Sequence, residues 1–249
     1  MSELYRSGSH LCLMYNDFSK GTMIQANQFL IVDEAEGLIM DPGGHKVYAP
    51  LFAQISNAIN PTKLKYIFFS HQDPDIIAAA NGWMMVTDAE AYISALWMRF
   101  LPHFGIDELV VKRVHPIPDE GLLLPLGQSK LVLLPAHFLH SAGSFQLYDP
   151  AAKILFSGDL GASLGSPDVF VSDFPSHIQY LEGFHKRYLP TRKALAMWAN
   201  TVRQLEIETI VPQHGAVLKG RAIVEQFIRW VEQLPCGLDL MGDAYPIPQ

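Results

Sequence analysis

Short apolar runs, each closed by a turn or a polar loop, recur along the chain and predict strands. Gln28-Phe29-Leu30-Ile31-Val32, a turn over Asp33 to Gly37, and Leu38-Ile39-Met40 running into Asp41-Pro42-Gly43-Gly44 read as a hairpin followed by a loop. Tyr66-Ile67-Phe68-Phe69 has the unbroken apolar character of a strand buried on both faces, ended by Ser70 and His71. The pattern returns in Leu131 to Leu134 before Pro135 to His140, in Ile154-Leu155-Phe156 before Ser157-Gly158-Asp159, and in Thr209-Ile210-Val211 before Pro212-Gln213-His214. Four strands thus each lead into a His or an Asp. Between them the apolar spacing becomes helical: Leu51, Phe52, Ile55 and Ile59 within Pro50 to Asn60, then Asp88 to Phe100 with Thr87 and Glu90 spaced as a capping box, then Arg192 to Leu205 and Arg221 to Leu234. Interleaved strands and helices predict an α/β protein.

Composition narrows the setting. About half of the 249 residues are apolar, enough for one large core, and no repeat, low-complexity run or Ser/Gly linker divides them. One domain over residues 1–249 is expected, with a terminal helix from about 221 and a tail from Leu238 to Gln249. No stretch reaches the roughly 18 uninterrupted apolar residues of a spanning helix, and no basic-then-apolar leader opens the chain, so the expected location is the cytoplasm and not a membrane. A net charge of -7 without a basic run argues against nucleic acid, whose affinity rests on Lys and Arg neutralising phosphates. Cys12 and Cys236, near opposite ends of the chain, look like neither a disulfide framework nor a thiolate metal site, which leaves nitrogen and oxygen ligands for any metal.

The densest candidate is His71-Gln72-Asp73-Pro74-Asp75, three ligand-type side chains at alternate positions directly after a buried strand. Alternation directs all three to one side if the loop stays extended. Two carboxylates placed together out of water need a compensating cation, which a divalent metal supplies. Alone, the run fits a solvated turn stiffened by Pro74 equally well.

Further motifs at the later strand ends resemble the metallo-β-lactamase superfamily, in the same order. Leu38-Ile39-Met40-Asp41-Pro42-Gly43 is similar to its first motif, His140-Ser141-Ala142-Gly143-Ser144 to its His-[Ser/Thr]-x-Gly motif, Phe156-Ser157-Gly158-Asp159 to its strand-end Gly-Asp, and Pro212-Gln213-His214-Gly215 to its last His. The resemblance spans roughly Asn27 to Gly215 and implies an αβ/βα four-layer sandwich. Most zinc hydrolases of the superfamily carry His-x-His-x-Asp-His, whereas here the third position is Asp73 and the sixth is Ile76. The set is more similar to the flavodiiron branch, His-x-Glu-x-Asp followed by His, Asp and His, with Asp73 in place of Glu. Carried over, the resemblance implies that His71, Asp73 and His140 hold one iron, Asp75 and His214 the other, and that Asp159 bridges. Three imidazoles with three carboxylates form the oxygen-rich environment expected for iron or manganese more than for zinc.

The implied function is binding or reduction of dioxygen or nitric oxide at a diiron centre, as a sensor or as a reductase. Nothing in the chain resembles an FMN or dinucleotide site, so electrons would come from a separate flavoprotein or rubredoxin-like donor. A dinuclear hydrolase of esters, lactones or phosphodiesters is the alternative class, and a homodimer is the expected assembly. Tyr188 is a candidate for a pocket tyrosine beside the metals, against ordinary core packing. His137 is the alternative to His140, while His10, His45, His103, His115, His177 and His185 lack motif context and read as surface or loop residues. Trp83, Met84, Met85, Trp97, Met98 and Phe100 read as core, with an apolar gas pocket or a dimer contact as the alternatives.

Overall fold

Along β1 (Ser2–Ser7), β2 (His10–Tyr15), β3 (Gln28–Asp33) and β4 (Glu36–Met40) successive side chains leave opposite faces of the pleat. Cys12, Met14, Phe29, Ile31, Leu38 and Met40 enter one apolar layer, and Leu13, Tyr15, Leu30, Val32 and Ile39 enter another. From β2 to β4 both faces are covered, which is why these three strands read as apolar runs and not as a clean alternation. The computed structural model describes residues 1–16 and 18–248; Asp17 and Gln249, the last residue of the expected tail, lie outside the described residues.

The chain continues through α1 (His45–Ala58), β5 (Leu64–Phe68), α2 (Pro74–Ile77), α3 (Ala80–Val86), β6 (Glu90–Ser94), a 3-10 stretch over Ala95–Phe104, α4 (Glu108–Val111) and β7 (Val114–Ile117). β1 to β4 pair antiparallel and β4 to β7 parallel, in a seven-stranded sheet that keeps chain order. A six-stranded sheet follows, from β8 (Leu122–Leu126), β9 (Ser129–Pro135), β10 (Phe145–Asp149), β11 (Ile154–Phe156), β12 (Thr209–Val211) and β13 (Leu218–Lys219). Its one parallel pair, β11 with β12, needs a long crossover, supplied by α5 (Phe174–Tyr188) and α6 (Arg192–Val202); α7 (Arg221–Gln233) comes last of the α-helices.

Phe29, Phe68, Leu133, Leu147 and Phe156 fill the layer between the two sheets. On the outer face of the first sheet, α1 contributes the stripe Val47, Leu51 and Ile55, and α3 contributes Trp83 and Met84. On the outer face of the second, α7 buries Val224, Phe227, Ile228 and Val231 at helical spacing against Trp198 and Leu195 of α6. Each such side chain stabilises the fold by about 1.5–3 kcal/mol through burial. The result is the αβ/βα four-layer order that the resemblance implied. No helix among the described residues is long and apolar enough to cross a membrane.

Two elements differ from expectation. Asp88 to Phe100 is not one α-helix: Glu90–Ser94 is strand β6, paired parallel with both β5 and β7, and a 3-10 stretch begins only at Ala95. Tertiary pairing overrides the local spacing here, and Thr87 closes α3 instead of opening a helix: its hydroxyl donates to the Trp83 carbonyl at 2.8 Å and accepts the Ala89 N–H at 3.4 Å, and strand β6 follows. Helix α1 starts at His45 and carries Pro50 inside it, because Val47 adds another turn to the stripe facing the sheet.

Candidate metal centre

Strand ends from both sheets meet at one edge of the sandwich. His71 follows β5, His140 lies in the loop after β9, Asp159 follows β11 and His214 follows β12. The two sheets are tied there by the backbone, since Phe145 N–H donates to the Ser70 carbonyl at 2.8 Å. The stretch from His71 is extended only as far as Asp73; Pro74, with its fixed φ, opens α2 and puts Asp75 in the first helical turn.

The six candidate side chains converge. His140 Nε2 lies 3.2 Å from His71 Nε2, 3.4 Å from Asp73 Oδ2 and 3.2 Å from Asp159 Oδ2. His71 Nε2 is 3.7 Å from both Asp73 Oδ2 and Asp159 Oδ1. His214 Nε2 stands 3.5 Å from Asp75 Oδ2 and 3.6 Å from Asp159 Oδ1. Asp159 therefore touches both groups, and its buried Oδ1 has no hydrogen-bond donor. An orphaned carboxylate oxygen in a dry site costs about 1–3 kcal/mol or more. Together with two imidazole nitrogens aimed at each other, it is a donor set that fits cations and that protein hydrogen bonds leave incomplete.

Charges in the cluster press on one another. Burial opposes a proton on His140, but hydrogen bonds and charge from Asp159 and Asp73 outweigh it and raise its pKa to about 10. Burial works against the Asp73 carboxylate, and His140 and His71 nevertheless hold it well below the usual range. Asp75 is shifted upward, by burial first, with His214 partly offsetting it.

The far sides of the imidazoles are anchored. His71 Nδ1–H donates to Ser70 Oγ at 3.0 Å, and Ser70 gives its hydroxyl to Asp41 Oδ2 and its backbone N–H to Asp41 Oδ1, both at 2.8 Å. His214 Nδ1–H donates to the Gln25 carbonyl at 2.6 Å. Such partners fix ring orientation and leave Nε2 free to ligate. Two glycines make the loops possible: Gly215, at φ +81°, would drive a Cβ into Ser163, and a Cβ on Gly143 would lie 2.7 Å from Ser94 Oγ. His185, fully buried, donates from Nδ1 to the Leu181 carbonyl and accepts the Gly161 N–H at 3.0 Å, bracing the turn that carries Asp159. The roles of Ser70, Gln25 and His185 left no sequence signal, because each acts through a backbone group or a neighbour fixed only by the fold.

His137 points to the Asp119 carbonyl at 2.9 Å and not into the cluster. Tyr188 stacks on Phe184 and meets His140 edge-on, with ring centroids 5.8 Å apart, so it sits beside a candidate ligand. His10, His177 and His185 are buried, which corrects their reading as surface or loop residues. Trp83 and Met84 belong to the outer core, and Met85 is half exposed.

A family model described as "ODP family beta lactamase" matches residues 24–215. A solved structure of the peroxy diiron species of chemotaxis sensor ODP is 40% identical, covers 96% of this chain and 97% of its own, and superposes with a TM-score of 0.87. The apo state of chemotaxis sensor ODP from T. denticola gives 38% identity, 96% of each chain and a TM-score of 0.84. The rubredoxin oxygen:oxidoreductase of Desulfovibrio gigas shares the fold at a TM-score of 0.78 with 15% identity, over 93% of this chain and 61% of that one. An uncharacterized protein of Methanocaldococcus jannaschii is 24% identical over 82% of this chain, which spans about half (52%) of that relative's length.

Proposed function

The chain belongs to the ODP family of beta-lactamase-type proteins, and on that premise we propose that it holds two iron ions and binds dioxygen at them as a sensor. The observation that carries this is Asp159: one oxygen lies beside His140, and the other, without a hydrogen-bond donor, lies between His71 and His214. His71, Asp73 and His140 would hold one ion, Asp75 and His214 the other, and Asp159 would bridge. Bound there, the irons supply a redox-active pair with open coordination for a diatomic gas.

The chain's own residues set the terms. Three carboxylates offset the charge of the ions, and the mixed imidazole and carboxylate set favours iron over zinc. Asp41 and Ser70 keep the His71 proton on Nδ1, and the Gln25 carbonyl does the same for His214. Ile76, fully buried in the outer apolar layer, contributes hydrocarbon; it stands where the resemblance puts an imidazole in most zinc hydrolases of the superfamily, so the second ion would have fewer protein donors than the first. The sensor reading draws support from 40% identity to a chemotaxis sensor over nearly the whole chain. Likeness to the oxidoreductase, at 15%, supports the fold alone. Electrons for the diferrous state would come from a separate flavoprotein or rubredoxin-like donor, and nitric oxide is the alternative gas.

Anaerobic reduction followed by stopped-flow mixing with dioxygen or nitric oxide tests the proposal. A gas-dependent spectral change is expected, with no oxidation of NADH by the protein alone. A reduced, iron-loaded protein inert to both gases would refute it, as would rapid cleavage of a lactone or phosphodiester by the same preparation.

A further inference from the structure

The layer between the sheets is apolar through its middle and polar at both ends. One end is the six-residue cluster, where β10 begins at Phe145; at the other, where β10 finishes at Asp149, a second group of ligand-type side chains is buried. His10 and Cys12, two residues apart on β2, face inward from the first sheet, and Asp149 faces them from the second. We propose that His10, Cys12 and Asp149 form a separate mononuclear site for a zinc-type ion, one that accepts nitrogen, sulfur and oxygen donors together.

The distances suit one small ion. Cys12 Sγ lies 3.4 Å from Asp149 Oδ2 and 3.8 Å from His10 Nε2, and His10 Nε2 lies 2.7 Å from Asp149 Oδ2. Bonds of about 2.3 Å to sulfur and about 2.0–2.1 Å to nitrogen or oxygen place tetrahedral sulfur edges near 3.5 Å and a nitrogen–oxygen edge near 3.3 Å. Both sulfur edges fit. The third contact is a hydrogen bond that opens by about half an ångström once the ion takes the place of its proton. Two of the three ligands are also held from behind. His10 Nδ1 faces Ser129 Oγ at 3.1 Å and Asp33 Oδ1 at 3.7 Å, the imidazole backed by a hydroxyl and a carboxylate that metal-binding histidines use. Asp149 Oδ1 accepts the N–H groups of Ala151 and Ala152 at 3.1 and 3.2 Å, which aims Oδ2 at His10 and Cys12. Asp33 is itself tied down by the N–H groups of Gln128 and Ser129, both at 2.9 Å.

Charge closes as well. Burial is the first of the effects that hold the Cys12 proton in place, and the thiol's one strong neighbour is already negative. A divalent ion displaces that proton and the one shared by His10 and Asp149, so its two charges offset the thiolate and the Asp149 carboxylate among its ligands, with Asp33 behind the imidazole. The spacing of the cysteines left no sign of this group, because two positions on β2 and an opposing strand bring His10, Cys12 and Asp149 together.

Cobalt(II) makes the site visible. The six-residue centre contains no sulfur, and the chain's cysteines are Cys12 and Cys236 alone. Cobalt chloride is added to the full-length, iron-loaded protein, and in parallel the chain is refolded from denaturant with cobalt present, so that ions entering only during folding are captured. A near-ultraviolet thiolate-to-cobalt band is expected at one equivalent, bleached by one equivalent of zinc, kept in Cys236→Ser and lost in Cys12→Ser. His10→Gln should lower the cobalt retained without changing the iron content. If Cys12→Ser does not fold, a band kept in Cys236→Ser still assigns it to Cys12. No band by either route overturns the site, and so does a band that disappears in Cys236→Ser.

Discussion

Replacing Ser70 by Ala removes one hydroxyl and leaves the backbone contacts of residue 70 in place. Ser70 N–H still donates to Asp41 Oδ1, and its carbonyl still accepts from Phe145. What goes is the middle of a chain running from Asp41 Oδ2 through the hydroxyl at 2.8 Å to His71 Nδ1 at 3.0 Å. Both ends are sealed, with Asp41 at 0% and His71 at 2% exposure, so each loses a partner that water does not readily replace. That costs about 1–3 kcal/mol per group in the metal-free protein. For the metal the consequence is orientational: with Nδ1 unheld, the ring turns and the proton can shift to Nε2, and affinity for the first ion should drop ~10–100-fold. Chelator competition measures the affinity and thermal unfolding of the metal-free protein measures the stability. Ser56→Ala, which removes an exposed hydroxyl from α1, is the control and should stay within about 0.5 kcal/mol of wild type. If Ser70→Ala binds the first ion within about twofold of wild type while losing stability, the hydroxyl only packs the loop and the orientation argument is wrong.

Other expectations follow from the same geometry. Protein from iron-replete cells should carry two irons per chain in the six-residue cluster; anomalous scattering at the iron and zinc edges decides this, and zinc at both of those positions would sink it. Asp159→Ala should empty both positions, whereas Asp75→Ala should mainly affect one, since a bridging carboxylate serves two ions; an Asp159 variant at full occupancy would remove the bridge. With its pKa near 10 in the metal-free protein, His140 keeps a proton that the metal must displace, so apparent affinity should climb by about tenfold per pH unit between pH 6 and 8. The same shift stabilises the metal-free fold below the ordinary histidine pKa and is lost as pH rises through about 10, so stability and metal affinity should run in opposite directions with pH; a pH-independent affinity would contradict the assignment.

The site was more legible than the fold around it. Strand ends are marked in sequence by apolar runs that stop, and His71, His140, Asp159 and His214 each stand at such a stop. Asp41 was legible as a motif residue but not as the anchor of His71, because 29 residues separate it from Ser70 and only parallel pairing of β4 with β5 joins them. Residues 88–100 misled for a related reason: Ile93, Leu96, Trp97 and Phe100 stand at helical spacing, and what makes a strand of Glu90–Ser94 is a neighbour on each side. His10 and Cys12 were discounted because their partner Asp149 is 137 residues beyond Cys12. Local pattern carries the first class of residue and long-range pairing carries the second.

The division of the six candidate ligands between the sheets has one more consequence. His71, Asp73 and Asp75 come from the part of the chain that builds the first sheet, and His140, Asp159 and His214 from the part that builds the second. Neither part owns a complete coordination sphere. If the six hold the metals as proposed, the first three would lack partners until the second sheet has formed and docked, so metal uptake would mark finished molecules and pass over half-assembled ones. A cell monitoring gas through such a centre would hear nothing from immature copies.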